Sequence, residues 1–238
     1  MKNVFVFDID DTLYDQLHAF KRAIKNLQIS SQNDLDISSL YQLMKKYGDE
    51  TFSSTGFDQA KLRSMQIFRI KRALQDYGVK ITNEQALNFQ LDFEKYQNDI
   101  ELFPKMEELL NLLVAKEQVL GIITNGTVDK QLKKVKALKL GKWVPKNNIL
   151  ISEAAGVSKP EKAIFKYFEN KLFLPLEKQN VFYVGDNYLN DIIGPKSVGW
   201  NTIWANYREY NKPIECVADY IVQEPKSLYT TITKLIDK

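Results

Sequence analysis

The chain opens on an unbroken apolar run, Val4, Phe5, Val6 and Phe7, cut off by acid at Asp8, Asp10 and Asp11. Aromatic and β-branched residues without polar alternation predict a short strand buried on both faces, as in a parallel sheet. From about residue 15 to residue 100 the period becomes helical, and no convincing strand is present. Phe20, Ile24 and Leu27 share one face, as do Ile37, Leu40, Tyr41, Met44 and Tyr47. Asp58 is placed to cap a third helix, with Leu62, Met65, Phe68 and Leu74 inward. Thr82 and Gln85 form a capping box for a fourth, with Ala86, Phe89, Phe93 and Tyr96 inward. Beyond Pro104, which suits a first helical turn, Leu109, Leu110, Leu112 and Leu113 mark another helix. Apolar runs at 119–123, 149–151, 181–184, 202–204 and 220–222 then alternate with helical segments. That order predicts an α/β fold, a parallel sheet covered on both faces, with ligands at the carboxyl ends of its strands.

Composition narrows the chemistry. A formal charge of +3 over 238 residues, with no basic tail, argues against a nucleic acid polymer as partner and leaves small anions open. No apolar run reaches membrane-span length, and Asp8 interrupts the N-terminal stretch before it could act as a signal peptide, so the expected location is cytoplasmic, without membrane partners. The single cysteine, Cys216, reads as structural. With one histidine, His18, placed on a helix surface, the chain has no multi-histidine zinc site and no histidine relay. Hydrolytic chemistry here has to run on carboxylates.

The residues just past each predicted strand carry the chemical signal. Thr124, Asn125 and Gly126 offer a hydroxyl, an amide and a flexible residue able to expose its backbone N–H, a turn suited to phosphate oxygens. In Ser158-Lys159-Pro160-Glu161 a capping box is expected from Ser158 and Glu161, which puts Lys159 beside a helix N-terminus, where a cation calls for a compensating anion. Removing that lysine should then leave the helix intact. Asp186 and Asp191 come after the strand ending at Val184. With Asp8 and Asp10 they place four carboxylates at strand ends of one sheet, a charge that calls for a hard divalent cation, and Mg²⁺ fits best. Lys130, Lys133, Lys134, Lys136 and Lys139 oppose a stripe of Val128, Leu132, Val135 and Leu138 and read as a solvated helix face.

Four motifs in order, DIDDT at 8–12, ITN at 123–125, the lysine of SKP at 159 and GDNYLND at 185–191, resemble those of the haloacid dehalogenase superfamily on its phosphatase side. The resemblance implies a Rossmann-like catalytic core from residues 1–14 and 101–238, with a helical cap inserted at 15–100. It implies Asp8 as the nucleophile that becomes an aspartyl-phosphate and Asp10 as general acid and base. It also implies Mg²⁺ held by the Asp8 carboxylate, the Asp10 backbone carbonyl and Asp186, with Asp191 orienting Lys159 or a metal-bound water. Thr124, the backbone at Asn125 and Gly126, and Lys159 would hold the phosphoryl oxygens. Among cap-bearing relatives the strings GIITNG, GVSKPEKAIF and VGDNYLNDIIG look most like the 5′-nucleotidase branch, so the expected substrate is a nucleoside 5′-monophosphate, with Arg69 of the cap reading the base. Sugar phosphates, phosphoglycolate and a phosphomutase reaction are the alternatives. Asp10 argues against a dehalogenase, and the choice between monomer and homodimer stays open. Two departures stand out: Asp11 occupies a position often held by glycine, and Pro195 should delay or kink the helix after the last motif.

Overall fold

The computed structural model describes residues 2–27, 29, 35–172, 177 and 180–237. In chain order the elements are β1 (Val4–Phe7), α1 (Gln16–Asn26), α2 (Ile37–Thr55), α3 (Gln59–Asp76), α4 (Asn83–Tyr96), α5 (Met106–Ala115), β2 (Val119–Thr124) and α6 (Val128–Ala137). Then come β3 (Ile149–Ile151), α7 (Ser152–Ala155), α8 (Lys162–Lys171), β4 (Val181–Gly185), α9 (Gly194–Lys196), β5 (Asn201–Ala205), β6 (Tyr220–Val222) and α10 (Pro225–Ile236). The chain divides into two compact units, one of residues 1–15 and 101–238, the other of residues 16–100.

The first unit is built on six parallel strands in the order β3-β2-β1-β4-β5-β6. All four residues of β1 are buried, because β2 and β4 flank it and helices cover the sheet. After β1 the chain builds outward through β2 and β3 on one side, then returns to β4 and builds outward through β5 and β6 on the other. The carboxyl ends of β1, β2 and β4 therefore meet at the point where strand order reverses, the position at which such sheets leave a crevice. Under one face Val4, Val6, Ile123, Phe165, Phe168, Tyr183 and Trp200 form a continuous core. Asp10 and Leu102 each bridge to Tyr14, and the Phe103 N–H donates to the Leu13 carbonyl (2.9 Å), so the segments leaving and re-entering this unit run side by side.

The second unit is a helical cluster of α1 to α4. Phe20 is fully buried there, with ring centroids 5.2 Å from Tyr41 and 5.5 Å from Phe89. The expected caps form: Asp58 accepts the Lys61 N–H (2.8 Å), and Thr82 and Gln85 bond each other reciprocally. Phe68, expected inward, is 46 % exposed; Gln66 and Ile70 turn inward instead, so the buried face of α3 is rotated from the one its aromatic marked. Pro104 lies ahead of α5 rather than in its first turn, since the helix starts at Met106. Pro195 is accommodated by a π-helical turn over Tyr188–Ile193 that precedes the short α9, which has the proline in its first turn, where no N–H is missed. No helix among the described residues is long and apolar enough to cross a membrane.

Candidate active site

Asp8 is the first residue past β1, and its N–H donates to the Val184 carbonyl (2.9 Å), which carries the ladder one step beyond the strand and fixes where the side chain starts. The site gathers around Lys159, only 4 % exposed. Its ammonium donates to Asp8 Oδ1 (2.8 Å), Asp191 Oδ1 (2.7 Å) and the Tyr183 hydroxyl (2.9 Å), three acceptors for three protons. Tyr183 in turn donates to the Ile123 carbonyl (2.7 Å). The Lys159 backbone is bracketed by one side chain: Asn125 Nδ2 donates to its carbonyl (3.0 Å) and Asn125 Oδ1 accepts its N–H (2.9 Å). The capping box expected here is absent. Glu161 donates its N–H to the Ser158 carbonyl (2.9 Å), α8 begins at Lys162 without a side-chain cap, and Lys159 sits in the preceding loop. The anions that compensate its charge are Asp8 and Asp191.

Asp191 reaches the cluster because position 185 is glycine: a Cβ on Gly185 would lie 2.4 Å from the Asp191 carboxyl. The other Asp191 oxygen accepts the Asn187 N–H (3.0 Å). Asp186 is held by its backbone carbonyl, which accepts Trp204 Nε1 (2.8 Å). Asp8, Asp186 and Asp191, all buried, each offer a carboxylate oxygen, and these lie within 4.8 Å of one another. Lys159 pairs with two of these three buried carboxylates, Asp8 and Asp191, so negative charge is concentrated where water does not reach. Burial pushes Asp8 up to about 6, the nearby Lys159 opposing this and Asp191 and Asp10 adding to it. Burial also works against a charged Lys159, but Asp191 and Asp8 outweigh it and hold the ammonium well above the usual lysine range. Three carboxylate oxygens within 4.8 Å of one another suit a hard divalent ion. A second misfit lies beside them: the Thr124 hydroxyl, at the end of β2, is buried without any hydrogen-bond partner.

Asp10 is held on the other side. Lys134 Nζ lies 2.7 Å from each of its oxygens, Tyr14 donates its hydroxyl to Oδ1, and Gln131 Nε2 donates to Oδ2 (3.3 Å). Burial opposes the Asp10 charge, yet Lys134 with these hydrogen bonds overrides it and keeps the carboxyl below the usual carboxylate range. Two expectations about α6 fall here. Leu132 is exposed, Lys134 is buried, and the inward face is Gln131, Lys134 and Leu138. The sequence spacing allowed this face equally well, but a stripe containing lysine does not look like an interior one. Gly126 is corrected as well: its N–H, expected to face an anion, donates to Ser152 Oγ (2.9 Å), and its glycine is needed because a Cβ would meet Gln131 Nε2 at 2.7 Å.

Asp11 sits at φ 55°, the left-handed region in which glycine is commonest and Asp tolerated, and accepts Arg208 Nη2 (2.9 Å), which also bonds Asp15. Arg69 belongs to the helical unit, where it donates to Gln90 Oε1 (3.0 Å) and lies 6.0 Å from the Phe93 ring centroid. Its guanidinium thus has partners inside that unit, whereas the resemblance implied that it reads the base of a nucleotide. His18 is exposed on α1, and Cys216 is a half-buried free thiol.

Residues 5–205 match the haloacid dehalogenase-like hydrolase family. Glyceraldehyde 3-phosphate phosphatase of Pyrococcus furiosus is 28 % identical, covering 97 % of this chain and 93 % of its own. The pyrimidine 5′-nucleotidase YjjG of Escherichia coli is 34 % identical, over 46 % of this chain and 47 % of its own. The fold is that of the magnesium-bound HAD-hydrolase YfnB of Bacillus subtilis, with a TM-score of 0.70 at 21 % identity, covering 98 % of this chain and 100 % of that one. The chain belongs to the haloacid dehalogenase-like hydrolases. With a phosphatase as a relative along nearly its whole length, it is an enzyme of the phosphatase kind.

Proposed function

We propose that this enzyme is a Mg²⁺-dependent phosphomonoesterase that works through a phosphorylated Asp8 and acts on small sugar phosphates, with a triose phosphate as first choice. The observation that carries the reading is the buried Asp8, Asp186 and Asp191 cluster around Lys159 at the carboxyl ends of β1 and β4. An Asp8 oxygen attacks phosphorus, the P–O bond to the leaving group breaks, and Asp10, a carboxylate before substrate binds, passes to the departing oxygen the proton that a phosphate monoanion brings with it. In the second half, Asp10 takes a proton from the water that attacks phosphorus, the bond to Asp8 breaks, and inorganic phosphate leaves. Lys159 and the unpartnered Thr124 hydroxyl bind the phosphoryl oxygens, while Asn125 acts by holding the Lys159 backbone. Asp8 and Asp186, with Asp191 next to them, would hold Mg²⁺, which supplies charge neutralisation where phosphoryl charge develops. The helical unit serves as the cap that chooses the leaving group.

The substrate proposed differs from the one the motifs first indicated. The glyceraldehyde 3-phosphate phosphatase likeness spans both units, whereas the nucleotidase likeness covers less than half the chain, and specificity resides in parts the core motifs do not reach. Nucleoside monophosphates remain the second reading because the nucleotidase has the higher local identity. Steady-state kcat/KM for glyceraldehyde 3-phosphate, other sugar phosphates and nucleoside monophosphates decides between them. A sugar phosphate should lead nucleotides by about tenfold or more, roughly 1.4 kcal/mol of transition-state binding. A nucleotide leading by that margin reverses the assignment.

Metal binding should depend on pH. With its carboxyl raised to about 6, Asp8 is protonated below that value, and a cation must then displace a proton. A raised folded-state value adds stability that is fully present below the unfolded carboxylate range and is lost as pH rises through about 6. The metal-free protein should therefore lose stability over that rise, and Mg²⁺ should restore it. The Tm increment from Mg²⁺ is expected to be larger at about pH 7.5 than at about pH 5. Equal increments at both values would remove Asp8 from the metal site.

A further inference from the structure

Lys134 lies in none of the strand-end motifs, yet it is 6 % exposed and its ammonium lies 2.7 Å from both oxygens of Asp10. Burying a lysine in a helix that packs on a sheet is unfavourable compared with an apolar residue of similar size, even when the charge is paired. The pairing does, however, fix geometry. Lys134 spans the two Asp10 oxygens, Tyr14 adds a hydroxyl to one and Gln131 an amide to the other, so the carboxylate plane is set from three directions. The same Gln131 amide donates to the Asn125 carbonyl (2.9 Å), and Asn125 brackets Lys159. One face of α6 thus ties the Asp10 carboxyl to the turn that places Lys159.

We propose that Lys134, assisted by Gln131, is a positioning residue of the reaction: it holds the Asp10 carboxylate in the orientation from which it relays the substrate's own proton to the leaving oxygen and later takes one from water. The inference rests on the phosphatase reading above. Lys134 transfers no proton itself, and its whole contribution passes through Asp10. Losing it should hurt substrates that need protonation of the leaving group and spare those that do not.

The test is a double-mutant cycle on the full chain with Mg²⁺, comparing wild type, Asp10→Asn, Lys134→Met and the double variant. Thermal unfolding is run on each, and the two substrates are glycerol 3-phosphate and p-nitrophenyl phosphate. Lys134→Met should lower kcat for glycerol 3-phosphate by about 10²-fold with KM within about threefold, and lower the rate of p-nitrophenol release in the first turnover by less than about tenfold. In the Asp10→Asn background the same substitution should change kcat by less than about twofold. If Lys134→Met does not fold, Lys134→Gln takes its place; its amide still donates beside Asp10, so the loss for glycerol 3-phosphate should be smaller, about tenfold, with the same contrasts between substrates and between backgrounds. Equal losses for both substrates, the same loss in both backgrounds, or no loss in the wild-type background would overturn the inference. A wild type that hydrolyses neither ester overturns the phosphatase reading and this inference together.

Discussion

Asp8→Asn is expected to lower kcat by about 10⁴- to 10⁶-fold, the scale set by removal of a nucleophile that acts in concert with its neighbours. An amide does not attack phosphorus at a useful rate, and at the proposed metal site it would replace a charged donor by a neutral one. The fold should survive. The substitution removes a carboxylate that burial and Asp191 already disfavour, and Lys159 keeps Asp191 and Tyr183 as partners. The measurement is kcat for p-nitrophenyl phosphate beside thermal unfolding. Activity within about tenfold of wild type in a folded variant would remove Asp8 from the nucleophile's role.

Lys159→Ala is expected to damage both rate and stability. Its ammonium is the countercharge to two buried carboxylates, Asp8 and Asp191, and stripping a partner from a buried ion pair typically costs about 3–5 kcal/mol because a charge is left uncompensated. Without metal the variant should melt well below wild type. Mg²⁺ should recover part of the loss by supplying positive charge to the same carboxylates, while turnover stays depressed because the phosphoryl oxygens lack their cation. A variant that melts like wild type in EDTA would show that the lysine does not bear this load.

The sheet and the strand-end acids were legible because both depend on local pattern. A parallel strand buried on both faces is a short apolar run, and β1, β2 and β4 each end where carboxylate, hydroxyl or amide begins. The two helical caps were legible for the same reason, since Asp58 and the Thr82–Gln85 pair act within four residues. The failures depend on partners far along the chain. Lys159 reads as a phosphate-binding residue beside a helix N-terminus, whose removal would leave the fold intact, because its contact with Asp8, 151 positions away, does not show in the local string. Lys134 looked solvated because only its contact with Asp10, 124 positions away, explains an inward lysine. Gly126 looked free to present its N–H because Ser152 could not be placed against it. Arg69 is marked in the sequence only by its place in the helical insert, and nothing local puts Gln90 beside it. Substrate choice was the least legible of all, since the motifs position only a phosphate and a cation.

The proposed mechanism requires phosphate to pass through Asp8. Rapid quenching in acid of the Asp10→Asn protein with p-nitrophenyl phosphate and Mg²⁺, followed by peptide mass spectrometry, tests it most directly. That variant accepts phosphate from a good leaving group but lacks the base that activates water, so the adduct should accumulate. The prediction is one phosphoryl group on the peptide containing Asp8, appearing with the burst of p-nitrophenol and decaying slowly. A burst with no phosphoryl group on that peptide, or with one on a different side chain, would contradict the account.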